Sequence, residues 1–227
     1  MPYIVIDTET SGKYIYKYPE DHPTLAGMPY PADAPDQPRV CEVAILWCDD
    51  DFNVEREYQA YIKPDGWEID PEGEAYKKHG LRTEFLIEHG IPMVEALTVY
   101  HTAILQGRAV VAFNSQFDCK AMRGESRHYG IDDLFDETPN SCAMRSATRL
   151  NPKVVKLPDE DGTIKGGMPK LRDVVAHFGI TDYRKHSALD DARVTAIIAK
   201  KLKEAGVLLA PEVHRAKKHP NNKETAT

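Results

Sequence analysis

YIVIDTET, at residues 3–10, joins an apolar β-forming run to two carboxylates. Residues 4–6 (Ile-Val-Ile) are consecutive strand formers, so Asp7 and Glu9 are predicted to leave a central strand of the domain. Side chains two positions apart on a strand point to the same face, which places both carboxylates on one side. Buried carboxylates are costly unless they are paired or bind a cation. This strand end is therefore a candidate metal site, and a solvated strand end is the alternative.

The rest of the chain shows the strand and helix patterns of an α/β domain. Residues 39–48 (RVCEVAILWC) and 54–63 (VEREYQAYIK) predict two further strands and complete an antiparallel meander. Helical apolar spacing over Met93–Leu105 is followed by Ala109–Phe113, a short strand that is apolar on both faces. A meander followed by alternating strand and helix indicates a mixed sheet. The other predicted elements are a helix from Ser115, a weak strand near residues 140–144, and helices near 170–178 and 187–202.

Composition favours one domain that is neither secreted nor inserted in a membrane. The 227 residues are 41% hydrophobic, which suffices for one substantial core. No apolar run approaches the roughly 20 residues of a membrane helix. The first ten residues lack the basic and apolar regions of a signal peptide. Four irregularly spaced cysteines predict buried free thiols rather than a zinc site. We therefore expect a cytoplasmic protein.

Charge is distributed unevenly along the chain. The net charge is −7, but residues 200–227 hold seven Lys and Arg against three Glu, so residues 1–199 carry −11. An acidic body repels a polyphosphate, so binding of nucleic acid would require bound cations or a local basic patch. A metal site built from carboxylates would itself account for part of the negative charge.

A second motif, VVAFNSQFD at residues 110–118, leads from an apolar strand into a helix. Asn114 or Ser115 can cap that helix, which places Asp118 in its first turn. The positive end of the helix dipole is by itself enough to favour a carboxylate there. The motif therefore becomes informative only together with the other acidic strand and helix ends.

The third motif, HSALDDA, begins with His186 and opens the last predicted helix. Ser187 followed by Asp190 resembles a capping box. Asp191 heads the core-facing stripe of the helix, whereas Asp190 points away and can pair with Arg193. His186 precedes the helix, where a lone histidine is ordinarily a hydrogen-bonded loop residue. An acidic residue at the head of an apolar stripe requires a partner.

Together the three motifs indicate a site for divalent cations. Four carboxylates in one place would repel each other, and divalent cations relieve that repulsion. All-oxygen ligands favour Mg²⁺ or Mn²⁺. Two such ions about 3.5–4 Å apart can clamp the attacking and leaving oxygens of a phosphodiester. A histidine with a pKa of about 6.5 is suited to take a proton from the attacking water at neutral pH.

These motifs, with HGLRTEF at residues 79–85, resemble those of the DnaQ-like 3′→5′ exonucleases of the DEDDh class, in the ribonuclease H-like superfamily. The resemblance covers residues 2–10 and 39–205. Ser187 stands where the tyrosine variant of the family would have Tyr, which points to the histidine subclass.

The resemblance implies a fold and a domain plan. The fold is α/β, with a ribonuclease H-like mixed five-stranded sheet, an antiparallel meander plus parallel strands, flanked by helices. One exonuclease domain would span residues 1–207, and a basic, flexible tail would follow at 208–227. Residues 13–38, with six Pro and four Tyr, would form an insertion that the family usually lacks. Its tyrosines either stack on bases, at about 1–3 kcal/mol per base, or belong to a Pro-stiffened surface loop.

The resemblance also implies roles for individual residues. Two Mg²⁺ or Mn²⁺ ions would be bound by four carboxylates, with His186 as the general base. Three of the residues that would hold the 3′-terminal nucleotide also have a simpler interpretation. His79 could be an exposed histidine, Asn114 a helix cap, and Phe117 a residue of the core. The implied metal ligands are Asp7, Glu9, Asp118 and Asp191, and the implied nucleotide contacts are Thr8, Thr10, His79, Asn114 and Phe117.

The function implied is that of an exonuclease on single-stranded nucleic acid. The leading hypothesis is release of nucleoside 5′-monophosphates from the 3′ end of single-stranded DNA, in DNA repair or in proofreading with a DNA polymerase as partner. One alternative is an exoribonuclease similar to oligoribonuclease or ribonuclease T. The other is a non-catalytic nucleic-acid-binding scaffold, which the complete acid set disfavours.

Overall fold

The fold is built on one mixed sheet with strand β1 (Tyr3–Thr10) at its centre. The structure is a computed structural model that describes residues 2–159, 161–164, 166–181 and 187–213. On one side, β1 pairs antiparallel with β2 (Val40–Cys48), which in turn pairs antiparallel with β3 (Val54–Tyr61). On its other side lie β4 (Ala109–Ala112) and β5 (Pro139–Cys142), both parallel to β1. The predicted α/β class and the meander-plus-parallel arrangement are confirmed.

The sheet has six strands, where five are expected from the sequence. The sixth, β6 (Glu212–Val213), pairs antiparallel with β5 and gives the order β3-β2-β1-β4-β5-β6. It lies in the segment that the sequence assigns to a flexible tail. A strand of two residues is too short for any alternation of apolar and polar side chains, so it has no sequence signal. Residues 214–227 lie outside the described part of the chain.

Seven described helices cover the sheet. The four that the sequence predicts are present, together with three short ones that begin at Glu74, Thr83 and Ala143. The first has no apolar periodicity and is not predicted. The last begins within the strand predicted near residues 140–144, which in the structure ends at Cys142. None of the described helices is long and apolar enough to cross a membrane. The helices are α1 (Glu74–His79), α2 (Thr83–His89), α3 (Met93–Leu105), α4 (Ser115–His128), α5 (Ala143–Ala147), α6 (Leu171–His177) and α7 (Ala188–Glu204).

Alternate residues of β1 pack into different cores on the two faces of the sheet. Ile4 and Ile6 face α3 and α4, and Val5 faces α7. The sheet-facing side of α7 is lined by alanines, which let the helix approach closely: Ala188, Ala192, Ala196 and Ala199. Burying one Val or Ile side chain stabilises a fold by about 1.5–3 kcal/mol, so β1 is firmly held. All four cysteines are buried and free, as expected.

The insertion at residues 13–38 is folded onto α4. The ammonium of Lys120 is buried and donates hydrogen bonds to the carbonyls of Ile15 (2.6 Å) and Tyr30 (3.0 Å). A Cβ added to Gly124 would lie 2.4 Å from the carbonyl oxygen of Ala32, so the insertion lies directly against the helix backbone. The segment therefore forms a fixed layer on the outer side of α4.

Burial of Tyr14 corrects part of the base-stacking hypothesis. Its side chain is only 7% exposed and packs edge-on against Phe117, with ring centroids 5.5 Å apart. A ring held in the core is not available to stack on a base. Tyr30 is also engaged, because its hydroxyl donates to Asp36 at 2.7 Å. Tyr14 thus supports the predicted nucleotide-binding residue Phe117 from behind.

Candidate active site

One edge of the sheet collects the four predicted carboxylates. Asp7 and Glu9 lie near the end of β1, Asp118 in the first turn of α4, and Asp191 in the first turn of α7. They meet because β1 and β4 run parallel and α4 begins immediately after β4. Single oxygens of Asp7, Glu9 and Asp191 lie within 4.8 Å of one another. All four side chains line one open cleft.

The carboxylate of Asp118 is held by Thr8. The backbone N–H and the hydroxyl of Thr8 both donate to Oδ1 of Asp118, each at 2.9 Å. Asp118 is 3% exposed and Thr8 is 4% exposed, so both hydrogen bonds are shielded from water. Thr8 lines the cleft, but its hydroxyl and its N–H both donate hydrogen bonds to Asp118. The sequence implies contact with the nucleotide for Thr8, which remains a prediction.

Burial and mutual repulsion raise the pKa values of these carboxyl groups. Burial, followed by the charges of Asp118 and Asp191, raises the pKa of Asp7 well above its ordinary value. Burial, followed by Asp191 and Glu42, raises the pKa of Glu9 to about 8. Burial raises the pKa of Asp118 to about 7, although the hydrogen bonds from Thr8 oppose the shift. Without a cation, the cluster therefore keeps protons that ordinary carboxyl groups lose.

The start of α7 differs from the expected capping box. Ser187 is the N-cap residue, yet within the described structure its side chain makes no capping hydrogen bond. Its hydroxyl points to Oε1 of Glu42 instead, at 3.4 Å. The expected surface pair is present, since Arg193 lies 3.1 Å from Asp190. The predicted general base, His186, lies outside the described residues.

Thr10 and His79 connect the end of β1 to the loop after α1. The Thr10 hydroxyl donates to the carbonyl of Gly12 at 2.8 Å. Nδ1 of His79 accepts from the N–H of Leu81 at 3.0 Å, so Nε2 carries the proton and donates to the Thr10 carbonyl at 3.2 Å. Both side chains line the cleft. The ring of His79 therefore supports the cleft wall, and its nucleotide contact remains a prediction.

Asn114 and Phe117 line the cleft from the start of α4. Asn114 is the N-cap residue, but its side chain makes no capping hydrogen bond to the described helix. The simple helix-cap interpretation is therefore not supported. Phe117 is partly buried against the core and Tyr14, and it also borders the cleft. Both predicted positions for a nucleotide contact thus lie beside the carboxylates, and their roles remain predictions.

Several cleft residues are absent from the sequence-based set. Lys78, on the unpredicted helix α1, lowers the pKa of Glu9 by its charge, against the larger effects of burial and acidic neighbours. Lys13, Glu74 and Leu171 also line the cleft. Beside it, Glu42 is 2% exposed within the apolar strand β2. An isolated acid in a buried strand is the sequence signal that could have identified Glu42, whereas exposed residues of a short helix offer none.

The chemistry of the described donors fits divalent cations. The cluster consists of carboxylate oxygens, which suit Mg²⁺ or Mn²⁺. Burial, and then the neighbouring carboxylates, raise the pKa values of Asp7, Glu9 and Asp118, and a bound cation would oppose both effects. The residues that would hold the cations are Asp7, Glu9, Asp118 and Asp191.

A family model and several solved structures are similar to the chain. The RNase_T family model, described as "Exonuclease", matches residues 4–199. No curated protein is similar enough in sequence to count as a match.

The solved structures share the fold at low sequence identity. Escherichia coli exonuclease I in complex with a dA16 oligonucleotide has a TM-score of 0.66 and 19% identity over 89% of this chain and 41% of that chain. The zinc-bound form of the E. coli complex with single-stranded DNA has a TM-score of 0.66 and 19% identity over 89% and 40%. Exonuclease I from Methylocaldum szegediense has a TM-score of 0.61 and 23% identity over 89% and 40%. The chain thus spans about two fifths of the length of these proteins.

Proposed function

We infer that this chain, which belongs to the DnaQ-like family of 3′→5′ exonucleases matched by the RNase_T model, removes nucleotides from the 3′ end of single-stranded DNA. Membership in the family makes it a metal-dependent nuclease, a hydrolase of phosphodiester bonds. The proposed products are nucleoside 5′-monophosphates, and the proposed mechanism uses two divalent cations.

One observation supports the mechanism above all others. Carboxylates from three elements, at positions 7, 9, 118 and 191, line one cleft that is open to solvent. Four carboxylates that repel each other are energetically unfavourable, and a non-catalytic scaffold would gain nothing that offsets this cost. When bound, divalent cations would stabilise the negative charge that develops on the phosphate and its leaving oxygen. Mg²⁺ and Mn²⁺ both fit the donors.

The chain's own residues would position the substrate and move the proton. Phe117 and Asn114 would hold the terminal nucleoside, because an aromatic and an amide side chain both line the cleft beside the carboxylates. His79 and the end of β1 also line the cleft and would contact the same nucleotide. His186, one residue before Ser187, would accept the proton of the attacking water.

Single-stranded DNA is the proposed substrate because two of the similar structures contain it. E. coli exonuclease I is described in complex with a dA16 oligonucleotide and with single-stranded DNA. RNA remains the second candidate, since the sequence offers no clear reader of the 2′-hydroxyl. A DNA polymerase partner in proofreading and a free-standing repair role both suit this activity. Four buried free thiols support the proposed cytoplasmic location.

The test is a degradation assay on matched DNA and RNA oligomers. Single-stranded 5′-labelled oligomers of one sequence are incubated with Mg²⁺, Mn²⁺ or EDTA, beside a circular single strand. We expect a ladder shortening from the 3′ end of the DNA, no cleavage of the circle and no reaction in EDTA. Faster loss of the RNA would assign the second candidate instead. Binding without any cleavage in either metal would assign the scaffold.

Two variants and one matched control complete the assay. Asp7→Ala and Asp191→Ala should abolish turnover while the protein remains folded by circular dichroism. Asp190→Asn, one residue from Asp191 but paired with Arg193 on the surface, should keep activity. Activity that survives in Asp191→Ala would contradict the proposed site.

A further inference from the structure

We propose that Glu42 is a positioning residue, which fixes the first turn of α7 and thereby holds Asp191 beside Asp7 and Glu9. This inference rests on the proposed function, because it concerns the geometry of the proposed metal site. It assigns a role to a residue outside the four acids and outside the nucleotide-binding set.

Glu42 reaches α7 from the neighbouring strand. It lies on β2 directly opposite Glu9 of β1, so the two side chains leave the same face of the sheet. Its carboxylate accepts hydrogen bonds from the backbone N–H groups of Ala188 and Leu189, the first two residues of α7. It also accepts from the hydroxyl of Ser187, at 3.4 Å. Three consecutive residues at the helix start are thus bonded to one side chain.

The contact supplies hydrogen-bond acceptors that, within the described part of the chain, the first turn of α7 otherwise lacks. The first N–H groups of an α-helix have no partner within the helix, and an anion at that end is favoured by the helix dipole. Ser187, at the N-cap position, does not supply the usual side-chain cap. A carboxylate from β2 replaces it, so the point at which α7 begins is set by the sheet. Asp191 follows within the same turn, and its N–H bonds to the carbonyl of Ser187 at 2.9 Å.

Glu42 is placed to orient the site rather than to join the cation cluster. Among the described residues, the oxygens that converge within 4.8 Å belong to Asp7, Glu9 and Asp191. Oε1 of Glu42 is occupied by Ser187 and by the amide of Gln59, at 2.6 Å. Its charge also raises the pKa values of Asp7 and Glu9, which is unfavourable in the metal-free protein. The hydrogen bonds that Glu42 accepts from the start of α7 explain why a buried carboxylate stands here despite this unfavourable repulsion.

The experiment compares two changes at Glu42 with a matched change elsewhere. Glu42→Gln keeps the size but replaces one acceptor oxygen by an NH₂ group that cannot accept from α7. Glu42→Asp keeps the charge but withdraws the carboxylate from the helix. The control is Glu125→Gln, since Glu125 is equally buried at 2% exposed and likewise accepts a backbone N–H from another element, that of Val40 in β2 at 2.8 Å. Mn²⁺ affinity is measured without DNA by electron paramagnetic resonance, together with Tm, kcat and KM.

We expect both Glu42 variants to bind Mn²⁺ about 10- to 100-fold more weakly, because residues that orient metal ligands typically have effects of that size. Their kcat should fall while KM for the oligomer is unchanged. Glu125→Gln should lower Tm without altering Mn²⁺ affinity. If Glu42→Gln is too unstable to purify, Glu42→Asp decides the question alone.

Two results would overturn the assignment. One is wild-type Mn²⁺ affinity in a folded Glu42 variant. The other is an equal loss of affinity in Glu125→Gln, which would mean that any buried destabilisation has the same effect. Absence of nuclease activity in the wild-type protein would instead contradict the proposed function. Mn²⁺ binding does not depend on turnover, so the two failures are distinguishable.

Discussion

Thr8 and Asp118 are joined by two hydrogen bonds that connect β1 to α4 across 110 positions of the sequence. Both bonds end on Oδ1, so that oxygen is committed to the protein and its orientation is fixed. Oδ2 is then the oxygen that we expect to serve a cation. A neutral, buried threonine thus decides how an acidic residue from another element enters the cleft.

Replacing the Thr8 hydroxyl should weaken metal binding without unfolding the protein. Thr8→Val keeps the side-chain shape and the backbone N–H but removes one of the two donors to Asp118. We expect Mn²⁺ affinity and activity to fall by about 10-fold or more, as for other residues that orient metal ligands. The matched control is Thr195→Val in α7, where a fully buried hydroxyl has no hydrogen-bond partner within the described structure. Equal effects of the two substitutions would contradict the role of Thr8.

Stability of the metal-free protein should depend on pH through the acidic cluster. The pKa of Glu9 is raised from 4.5 in an unfolded chain to about 8 in the folded protein. Between these values the folded state binds more protons than the unfolded state, so this group's contribution to stability falls as pH rises. Glu9→Gln should therefore match the wild-type Tm at pH 4 and exceed it at pH 8, in EDTA. Mg²⁺ should raise the wild-type Tm more at pH 8 than at pH 6.

Thermal unfolding at several pH values checks both statements, because the difference between wild type and Glu9→Gln removes the contribution of every other titrating group. A wild-type protein that is as stable as Glu9→Gln at pH 8 without metal would show that folding does not raise the pKa of Glu9.

Loss of His186 should slow the chemical step and leave metal binding intact. A general base typically contributes a factor of about 10²–10⁴ to the rate, so His186→Ala should lower kcat by that order. Mn²⁺ affinity should remain at the wild-type value. His128→Ala, at an exposed position at the end of α4, is the control and should be fully active. Weakened metal binding in His186→Ala would assign this residue to the cation site instead.

The insertion should be released from α4 when Lys120 is changed. Lys120→Met removes the donor to the carbonyls of Ile15 and Tyr30, and an unsatisfied buried polar group costs about 1–3 kcal/mol. We expect a lower free energy of unfolding in urea and faster proteolysis within residues 13–38. Lys153→Met, at an exposed position, should change neither. Unchanged proteolysis in Lys120→Met would mean that other contacts hold the insertion.

The basic tail should contribute electrostatic binding of the nucleic acid backbone. Truncation after Val213 keeps strand β6 and removes Arg215 and Lys217, Lys218 and Lys223. Each lost phosphate contact weakens binding and reduces the dependence of affinity on salt. Fluorescence anisotropy with single-stranded DNA over a salt series, in Ca²⁺ or EDTA to prevent turnover, measures both. A truncated protein with an unchanged salt slope would exclude the tail from the binding surface.

Local sequence patterns were enough to predict most strands and helices and to place the four carboxylates at their ends. Alternation along β1 places Asp7 and Glu9 on one face, and helical periodicity separates Asp191, at the cleft, from Asp190, which pairs with Arg193. Helix α1 was missed because its six residues include no buried side chain, so no apolar stripe marks it. Helix α5 was missed because its five residues are too few to show a period, and its first two were assigned to the preceding strand. Strand β6 was missed because two residues carry no period.

The sequence alone determined where acidic residues stand at the ends of strands and helices, because side-chain direction follows the period of the element that carries it. Tertiary structure alone decided the partners: Thr8 for Asp118, Glu42 for the start of α7, and Tyr14 behind Phe117. These pairs depend on strand register and on helix packing against the sheet, which join residues far apart in the chain. Contacts between residues far apart in the chain produce no repeating pattern in the sequence, so only the folded structure shows them.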